Sequence, residues 1–525
     1  MPEATAFSND FPPKLPVPAA VCDDQAQDMN TLFCGDNLDV LRRYVADASV
    51  DLVYLDPPFQ SGKDYNVIFE SHFGERGDER AQAEAFKDKW RWGPESEEQY
   101  TEIERAGGAL ATALRGLRAM LRESDLMAYL CMMAPRLVEL RRVLKKTGSL
   151  YLHCDPTASH YLKVLLDSVF GPACFKNEII WRYRRWPAKA RRFQRMHDVL
   201  LFYAAAPGNR QTFNALYGYE RLADSTLKTF GTKKQKADFK SGHRKPSVED
   251  GDTLGPPLSD YWDVDELETT GVPLSDSWEV GIIAPIGKER TGYDTQKPER
   301  LLERVIRSSS NEGDVVLDPF CGCGTAIAVA EQWKRKWIGI DVTHLAINII
   351  RVRLANAAFE VKGEPIDIEG AARLASEDPF QFQWWILGRI GARPANQKQS
   401  RKKKNDADSG IDGELFFRDA PNAPPKHAAI SVKGGNLEPA HVRELVGVVK
   451  RENAAIGVLL TLRKPTRAME VEAARAGFFE SHLGRHPKIQ IVTAEQVLAG
   501  KGQLRIPGLA STHMRALARL GKKAS

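Results

Sequence analysis

Apolar and polar positions along the first half of the chain predict strands and helices in turn. Short buried strands are predicted at 49–55 (SVDLVYL), 148–154 (GSLYLHC) and 198–204 (DVLLFYA), with helices at Ala128–Leu144 and His160–Val169. Strands that alternate with helices are typical of a parallel sheet covered by helices. This part of the chain is therefore predicted to be an α/β domain.

The alternation stops over residues 207–282 and then returns. These residues are rich in glycine, lysine, aspartate and proline and keep no period for long, so we expect an insertion. A helix at Lys297–Ser310, a strand at 314–320, a helix at Thr325–Trp333 and a strand at 336–342 are predicted after it. The insertion thus interrupts one α/β domain, predicted over residues 29–375.

Two tails and a smaller α/β domain complete the predicted organisation. Residues 1–28 are polar and rich in proline, which predicts a disordered tail. Residues 376–507 contain predicted strands at 428–434 and 455–462, and a basic tail covers 508–525.

Composition narrows the class of protein. The chain has 525 residues, 42% of them apolar, a net charge of +5 and seven cysteines without a Cys-x-x-Cys pair. It has no apolar stretch of about eighteen residues. We expect a cytoplasmic protein with reduced thiols, without a membrane span and without a structural metal.

Basic residues are concentrated in one stretch, whereas the net charge of the whole chain is small. Residues 182–195 (RYRRWPAKARRFQR) contain seven basic residues, no acid and interleaved aromatic rings. Such a stretch can follow a phosphate backbone, although a solvated face is the alternative. The candidate DNA-binding residues are Arg182, Arg184, Arg185, Arg191 and Arg192.

A rigid loop is predicted where the strand at 49–55 ends. Pro57 and Pro58 lack the amide hydrogen that a strand needs, so the strand ends before Asp56. Phe59 follows in the same loop. A carboxylate, two stiff residues and an aromatic ring at a strand end form the first candidate site.

A glycine-rich turn between a strand and a helix forms the second candidate site. It lies within Asp314–Val342, where Gly322 and Gly324 would let the backbone approach a ligand. Asp341, at the end of the next strand, can accept hydrogen bonds from two ribose hydroxyls. The helix that begins near Thr325 offers its positive end to an anion. A purely structural turn is the alternative.

Together, DPPF and LDPFCGCGT resemble the amino-methyltransferases of DNA, which use S-adenosylmethionine. Their order along the chain is similar to that of the circularly permuted β group. The segments 295–306 (TQKPERLLERVI) and 35–44 (GDNLDVLRRY) are also similar to segments of that group. The segments 136–155 and 175–183 resemble its Type III modification-subunit branch.

The resemblance implies a Rossmann-like, mostly parallel sheet that binds S-adenosylmethionine and methylates a base flipped out of DNA. It implies that residues 207–282 recognise the target sequence. The implied catalytic residues are Asp56, Pro57, Pro58 and Phe59. The implied cofactor-binding residues are Asp36, Lys297, Asp318, Pro319, Phe320, Gly322, Gly324, Thr325 and Asp341.

The same resemblance implies how the DPPF loop acts and on which base. Asp56 and the Pro57 carbonyl would accept hydrogen bonds from an exocyclic amine, and Phe59 would stack on the base. The aspartate is more similar to adenine-specific enzymes, because serine usually stands there in cytosine-N4 enzymes. Adenine N6 is the expected target, and cytosine N4 is the alternative.

The C-terminal α/β domain resembles the Mrr-like branch of the PD-(D/E)xK nucleases. Asp412 and Lys433 match two residues of that motif, but Ser431 stands where an acid or glutamine is expected. Glu414 or Asp378 is the alternative source of the missing carboxylate. Mg²⁺ prefers several hard oxygen ligands, so we expect it to bind only if this domain is active. A fused restriction-modification enzyme that also cuts DNA is the alternative to a domain that only binds DNA.

The expected partner is double-stranded DNA, with no membrane. A homodimer and a restriction partner subunit are the two further partners that the resemblance leaves open. A non-catalytic DNA-binding protein is disfavoured because it would not need Asp56, Pro57, Phe59, Asp318 and Asp341.

Overall fold

The computed structural model of the protein describes residues 29–58, 64–69, 81–87, 90–183, 191, 193, 195–218, 235–238, 243–246, 272–273, 277–280, 283, 289–291, 293, 295–395, 410–420, 424–501 and 504–507. Both predicted tails, most of the predicted insertion, Phe59, Arg184, Arg185 and Arg192 lie outside these residues.

The strands are numbered in chain order. They are β1 (Asn30–Cys34), β2 (Val50–Leu55), β3 (Asp64–Phe69), β4 (Ala81–Lys87), β5 (Leu144–Cys154), β6 (Phe175–Arg182), β7 (His197–Ala204), β8 (Tyr217–Gly218), β9 (Gln235–Asp238), β10 (His243–Pro246), β11 (Val272–Pro273), β12 (Ser277–Glu279), β13 (Val315–Asp318), β14 (Lys336–Asp341), β15 (Phe359–Lys362), β16 (Arg393–Pro394), β17 (Gly413–Phe417), β18 (Lys426–Lys433), β19 (Ile456–Thr461), β20 (Phe478–Ser481), β21 (Gly484–Pro487) and β22 (Ile489–Thr493).

The helices are numbered in the same way. They are α1 (Asn37–Tyr44), α2 (Pro94–Ala106), α3 (Gly108–Leu121), α4 (Asp125–Val143), α5 (Ser159–Phe170), α6 (Glu299–Ser309), α7 (Thr325–Gln332), α8 (His344–Arg353), α9 (Ile368–Glu377), α10 (Pro379–Arg389), α11 (Pro439–Arg451), α12 (Arg467–Arg475) and α13 (Ala494–Leu498), with a short 3₁₀ helix at Pro172–Cys174. Among the described helices, none is both long and apolar enough to cross a bilayer.

The main sheet has nine strands in the order β12-β6-β7-β5-β2-β13-β14-β1-β15. Neighbours pair in parallel except at β7, which runs antiparallel to β5 and β6. The strands β2, β13, β14 and β1 lie side by side and all run in one direction. Their carboxyl ends therefore meet at one edge of the sheet, where ligands bind in open α/β folds.

Helices cover both faces of this sheet, as its apolar strands require. One core contains Leu41, Leu114, Leu137 and Leu162 from α1, α3, α4 and α5. The core on the opposite face contains side chains of α6, α7 and α8 such as Val305, Ile327 and Ile347. The predicted fold class, a mostly parallel α/β sheet covered by helices, is confirmed.

A smaller sheet lies in the C-terminal part of the chain, in the order β16-β17-β18-β19-β22. Its core contains Ile430 and Leu460 together with Phe382 and Trp385 of α10. The neighbouring residue Trp384 instead packs in a separate cluster with residues of the main domain. Helix α10 is thus shared by two hydrophobic cores. The predicted nuclease-like identity and the domain bounds stay predictions.

Candidate active site

A cavity of about 310 Å³ lies at the carboxyl ends of the parallel strands β1, β2, β13 and β14. Each of these strands contributes an acid at or just after its last residue. The residues that line the cavity include Asp36, Asn37, Tyr54, Asp56, Pro57, Pro58, Trp90, Arg136, Tyr293, Lys297, Asp318, Pro319, Phe320, Gly322, Thr325, Asp341 and Val342. The two candidate sites of the sequence are therefore one site.

Asp56 immediately follows β2, as the double proline predicts, and its two oxygens have different surroundings. Oδ2 accepts a hydrogen bond from the Nζ of Lys297 in an ion pair that is nearly buried. Oδ1 is buried and has no hydrogen-bond partner among the described residues. Nδ1 of His153 lies 3.7 Å from it. One oxygen of this carboxylate is thus free to accept a hydrogen bond.

Asp318 ends β13 and is only 3% exposed. Its Oδ1 accepts a hydrogen bond from the amide of Phe320 at 3.1 Å. Burial raises the pKa of this carboxyl well above its usual value, and the negative charges of Asp56 and Asp341 raise it further against the effect of that hydrogen bond. The cavity therefore favours a ligand that brings positive charge to this position.

Asp341 ends β14 and is held by three hydrogen bonds. Its Oδ2 accepts from the Gly322 amide at 2.8 Å, and its Oδ1 accepts from the amide and hydroxyl of Thr343, both at 2.9 Å. Burial raises the pKa of Asp341 even though these donors act in the opposite direction. A carboxylate accepts roughly four hydrogen bonds, so the orientation of this one is nearly fixed.

A polar network, buried at Arg136 and Asn37 and open to solvent at Asp36, joins three elements on one side of the cavity. Arg136, from α4, donates to Asn37 Oδ1 and to Asp36 Oδ2, both at 2.6 Å. Asn37 in turn donates to the carbonyl of Pro319 at 2.8 Å. Burial lowers the pKa of Arg136, while the neighbouring Asp36 acts in the opposite direction. The network fixes the start of α1 relative to the glycine-rich loop.

The two glycines of the loop are required for reasons of packing and backbone conformation. Gly322 and Gly324 have φ values of +50° and +73°, which disfavour any side chain. A Cβ on Gly324 would lie 2.7 Å from the Ile350 side chain, and one on Gly322 would lie 3.2 Å from the ring of Tyr293. Gly324 precedes α7, whose first residue, Thr325, lines the cavity.

Most of the predicted site residues lie together, and some fall outside this cavity. Of the predicted catalytic and cofactor residues, Phe59 lies outside the described residues, and Gly324 lies beside the cavity rather than on its wall. Among the predicted DNA-binding residues, Arg182 ends β6 and is half-buried, and Arg191 is exposed. Arg184, Arg185 and Arg192 lie outside the described residues.

Several residues of the site were not predicted from the sequence. Arg136 and His153 are polar residues within apolar segments, MMAPRLVEL and GSLYLHC. That interruption is a usable signal, because a buried polar side chain needs partners. Asn37, Trp90 and Tyr293 have no comparable signal in their segments.

The C-terminal candidates lie together on a different sheet. Asp412 precedes β17, and its Oδ2 accepts hydrogen bonds from the amide of Val432 at 2.6 Å and the hydroxyl of Ser431 at 3.3 Å. Lys433 ends β18. Glu414 is bound to Arg393 at 2.8 Å. Among the described residues there is no group of three histidine, cysteine or acidic side chains that could hold a metal ion.

The chain is similar to known DNA methyltransferases. It is 27% identical over 269 residues to the Type II methyltransferase M.HpaI of Haemophilus parainfluenzae, covering 51% of this chain and 72% of that protein. It is 25% identical over 358 residues to the DNA adenine methyltransferase YhdJ of Escherichia coli strain K12, covering 66% and 93%. The solved complex of M1.HpyAVI with SAM is 12% identical, covers 62% and 100%, and has a TM-score of 0.31.

The chain also matches a family of proteins over one continuous span. Residues 50–351, more than half of the chain, match the family N6_N4_Mtase, described as DNA methylase. That span contains both the DPPF loop and the glycine-rich loop. The chain belongs to the N6_N4 DNA methylase family and is a DNA methyltransferase.

Proposed function

We propose that the protein transfers a methyl group from S-adenosylmethionine to the exocyclic N6 of a flipped adenine in DNA, as a member of the permuted β group. The observation that carries this proposal is the shared cavity. Asp56 comes from near the start of the domain and Asp318 and Asp341 come from near its end, yet all three line one cavity.

The residues of the cavity fit S-adenosylmethionine. The bound cofactor would supply a methyl group activated by a positively charged sulfur. Buried carboxylates whose pKa is raised by desolvation, at Asp318 and Asp341, favour such a cation. Val342, which is 62% exposed, and Phe320 offer apolar surface to a purine.

Asp341 is the residue that we assign to the ribose. Gly322 and Thr343 already occupy three of its roughly four acceptor positions, and the Val342 amide also acts on this carboxyl. We therefore assign one ribose hydroxyl to it rather than the two expected from the sequence. Asp36 would lie near the adenine of the cofactor, and Lys297 near its amino-acid end.

Asp56 is the residue that we assign to the target amine. The lone pair of this amine is delocalised into the base, so the nitrogen must become tetrahedral to attack. The unsatisfied Oδ1 of Asp56 and the carbonyl of Pro57 can accept its two N–H hydrogens. Both hydrogen bonds strengthen as positive charge develops on the nitrogen, which stabilises the transition state. Stacking of Phe59 on the base stays a prediction.

Adenine is favoured over cytosine by the side chain at position 56. A carboxylate is a stronger acceptor for a developing cation than a serine hydroxyl, and the motif with aspartate resembles adenine-specific enzymes. The name of YhdJ describes an adenine methyltransferase. We assign recognition of the target sequence to the insertion at 207–282.

DNA contact is assigned to the basic stretch between β6 and β7, where Arg191 and Arg195 are exposed. A homodimer, a restriction partner subunit and a cytoplasmic location stay predictions. We propose that the C-terminal unit binds DNA without cutting it, because Asp412 is already held by Val432 and Ser431.

Replacement of Asp56 by alanine tests the proposal. We expect Asp56→Ala to lose methyl transfer by at least about a thousandfold while S-adenosylmethionine still binds, because its predicted partner is the amine. Transfer is measured with labelled cofactor and calorimetry gives the affinity. Digestion of the DNA followed by mass spectrometry identifies the methylated base.

A matched control lies in the same strand. Asp51→Asn removes the charge of an acid that binds Lys145 and the Val315 amide, away from the cavity, so the rate at saturation should persist. Full transfer by Asp56→Ala would refute the proposed mechanism. N4-methylcytosine in the digest would assign the cytosine alternative, and DNA cleavage that depends on Mg²⁺ would contradict the role proposed for the C-terminal unit.

A further inference from the structure

Behind Asp56 lies a buried polar cluster that the proposed reaction does not use. Its centre is His153 of β5, whose side chain is completely buried. The ring nitrogen Nδ1 lies 2.9 Å from the hydroxyl of Tyr54 and 3.7 Å from Oδ1 of Asp56. This edge of the ring faces the Asp56 oxygen that lacks a hydrogen bond.

The other edge of the ring faces a second acid. Its Nε2 lies 3.5 Å from Oδ2 of Asp198, and the hydroxyl of Tyr183 donates to the other oxygen of Asp198 at 3.0 Å. The ring of Trp181 lies edge-on to His153 with centroids 5.4 Å apart. Contacts on both edges and on one side leave the imidazole little freedom to move.

The protonation states of Asp198 and Tyr54 favour the contacts that these residues make with His153. Burial alone would raise the pKa of Asp198, but its contacts with His153, the charge of Lys297 and the hydrogen bond from Tyr183 together lower it. Burial and the nearby charge of Asp56 raise the pKa of Tyr54 well above 10. Asp198 is therefore an anion and Tyr54 a neutral phenol at neutral pH.

We propose that His153 is a positioning residue for Asp56 in methyl transfer, an inference that rests on the proposed function. A carboxylate turns readily about its last torsion. Lys297 holds Asp56 from one side, and the fixed imidazole limits it from the other. The oxygen that accepts the amine hydrogen is thereby kept in one orientation, and catalytic groups need placement to about 0.5 Å.

Substitutions of His153 can separate the two edges of the ring. The amide of His153→Asn reaches the place of Nδ1, next to Tyr54 and Asp56, whereas the amide of His153→Gln reaches the place of Nε2, next to Asp198. His153→Phe keeps the ring volume without either polar edge. Tyr151→Phe is the matched control, because Tyr151 lies in the same strand. Its buried hydroxyl lies 2.7 Å from the hydroxyl of Ser309 and is removed by the substitution.

The experiment measures methyl transfer at saturating DNA and cofactor, the KM for DNA, cofactor affinity by calorimetry and the melting temperature. We expect His153→Phe to lower the saturated rate about a hundredfold, and His153→Asn to recover about tenfold of that loss, because misplacing a catalytic group costs rate. Cofactor affinity should stay within about twofold in all variants. His153→Gln should resemble His153→Phe, and Tyr151→Phe the wild type.

Two results would overturn the proposal. One is an unchanged saturated rate in His153→Phe, with wild-type transfer intact. The other is a parallel loss of rate, cofactor affinity and melting temperature in which His153→Asn is no better than His153→Gln, since that pattern is a packing effect. A wild-type protein that binds the cofactor but transfers no methyl group to DNA would instead refute the proposed function and the positioning role with it.

Discussion

Acidic side chains outnumber basic ones on the wall of the cavity. Four acids line it, and the described lysines and arginines on its wall are Lys297 and Arg136. Arg136 is bound to Asp36 and Lys297 to Asp56. Asp318 and Asp341 therefore have no cation of their own on this wall. A cationic ligand would offset the free-energy cost of burying their carboxylates.

Asp341 provides the first test at this scale. We expect Asp341→Ala to weaken S-adenosylmethionine binding about tenfold to a hundredfold, because losing a hydrogen bond to a charged acceptor costs roughly 1.5 to 3 kcal/mol. Asp314→Ala, just before the opposite end of β13, is the control and should bind normally. Calorimetry measures both, and an unchanged dissociation constant for Asp341→Ala would remove it from the ribose site.

Glu364 gives a prediction about acid stability. Its side chain is 6% exposed and forms an ion pair with Arg351. Its Oε1 lies 3.7 Å from Nδ1 of His344. Burial alone would raise its pKa, but His344 and Arg351 outweigh that effect and lower it to about 2 from 4.5. A lowered pKa stabilises the fold above the unfolded value of 4.5. This contribution is lost as the pH falls from there toward 2.

We therefore expect Glu364→Gln to reduce the free energy of unfolding at neutral pH by on the order of 3 kcal/mol. The difference from wild type should shrink as the pH falls from about 4.5 toward 2. Denaturant titration at several pH values measures it. Glu360→Gln, whose side chain is 48% exposed, should have little effect, and a pH-independent difference for Glu364→Gln would contradict the argument.

The residues of the site could be predicted from the sequence where prolines or glycines lie beside them. The two prolines after Asp56 and the glycines after Asp318 report a backbone constraint that can be read without a structure. The ion pair of Lys297 with Asp56 could not be predicted, because it joins residues that are distant in sequence. The apolar segments around Arg136 and His153 mark them as buried polar residues, but their place beside the cavity depends on which helix and strand pack there.

At the scale of elements, the turn before α7 tests the role of glycine. We expect Gly324→Ala to lower the free energy of unfolding by about 1 to 3 kcal/mol, because a positive φ and the contact with Ile350 both oppose a methyl group. Gly116→Ala, in the middle of α3 with open space around it, should instead stabilise the protein by about 0.5 to 1 kcal/mol. Denaturant titration compares the two, and equal stabilisation would contradict the contact.

Strongly patterned elements were predicted with nearly correct bounds. The strand predicted at 49–55 is β2, and the helix predicted at Thr325–Trp333 is α7. The elements β1 and α2 were not predicted. β1 has five residues, and the sequence PESEEQYTEIERA of α2 is mostly polar, so its apolar face is set by Tyr100 and Ile103 alone. Tertiary packing rather than pattern defines such elements.

At the scale of the whole molecule, α10 connects the C-terminal unit to the cavity. Gln381 accepts a hydrogen bond from the His344 amide at 2.9 Å, and the carbonyl of Trp384 accepts one from Asn348 at 2.8 Å. The ring of Trp384 belongs to a cluster with Tyr293 and Cys323, which line the cavity. Loss of this packing should therefore be felt by the cofactor.

Adjacent tryptophans separate this effect from general destabilisation. We expect Trp384→Ala to weaken S-adenosylmethionine binding by about tenfold, because the cavity wall loses its support. Trp385→Ala should lower stability but leave affinity nearly unchanged, since its ring packs in the C-terminal core. Calorimetry and thermal melting measure both, and equal affinities in the two variants would show that the cavity does not depend on α10.

Helix α10 also limits how this protein could exchange parts with its relatives. One side of the helix contacts α8 and the glycine-rich loop, and the other side packs in the C-terminal core. A chimera joined before the helix would bring a foreign surface to the methyltransferase unit, and one joined after it would bring a foreign surface to the C-terminal unit. Recombination between homologues is therefore expected to keep the two units together. An exchange of one unit should be tolerated only if the residues on the facing side of α10 are exchanged as well.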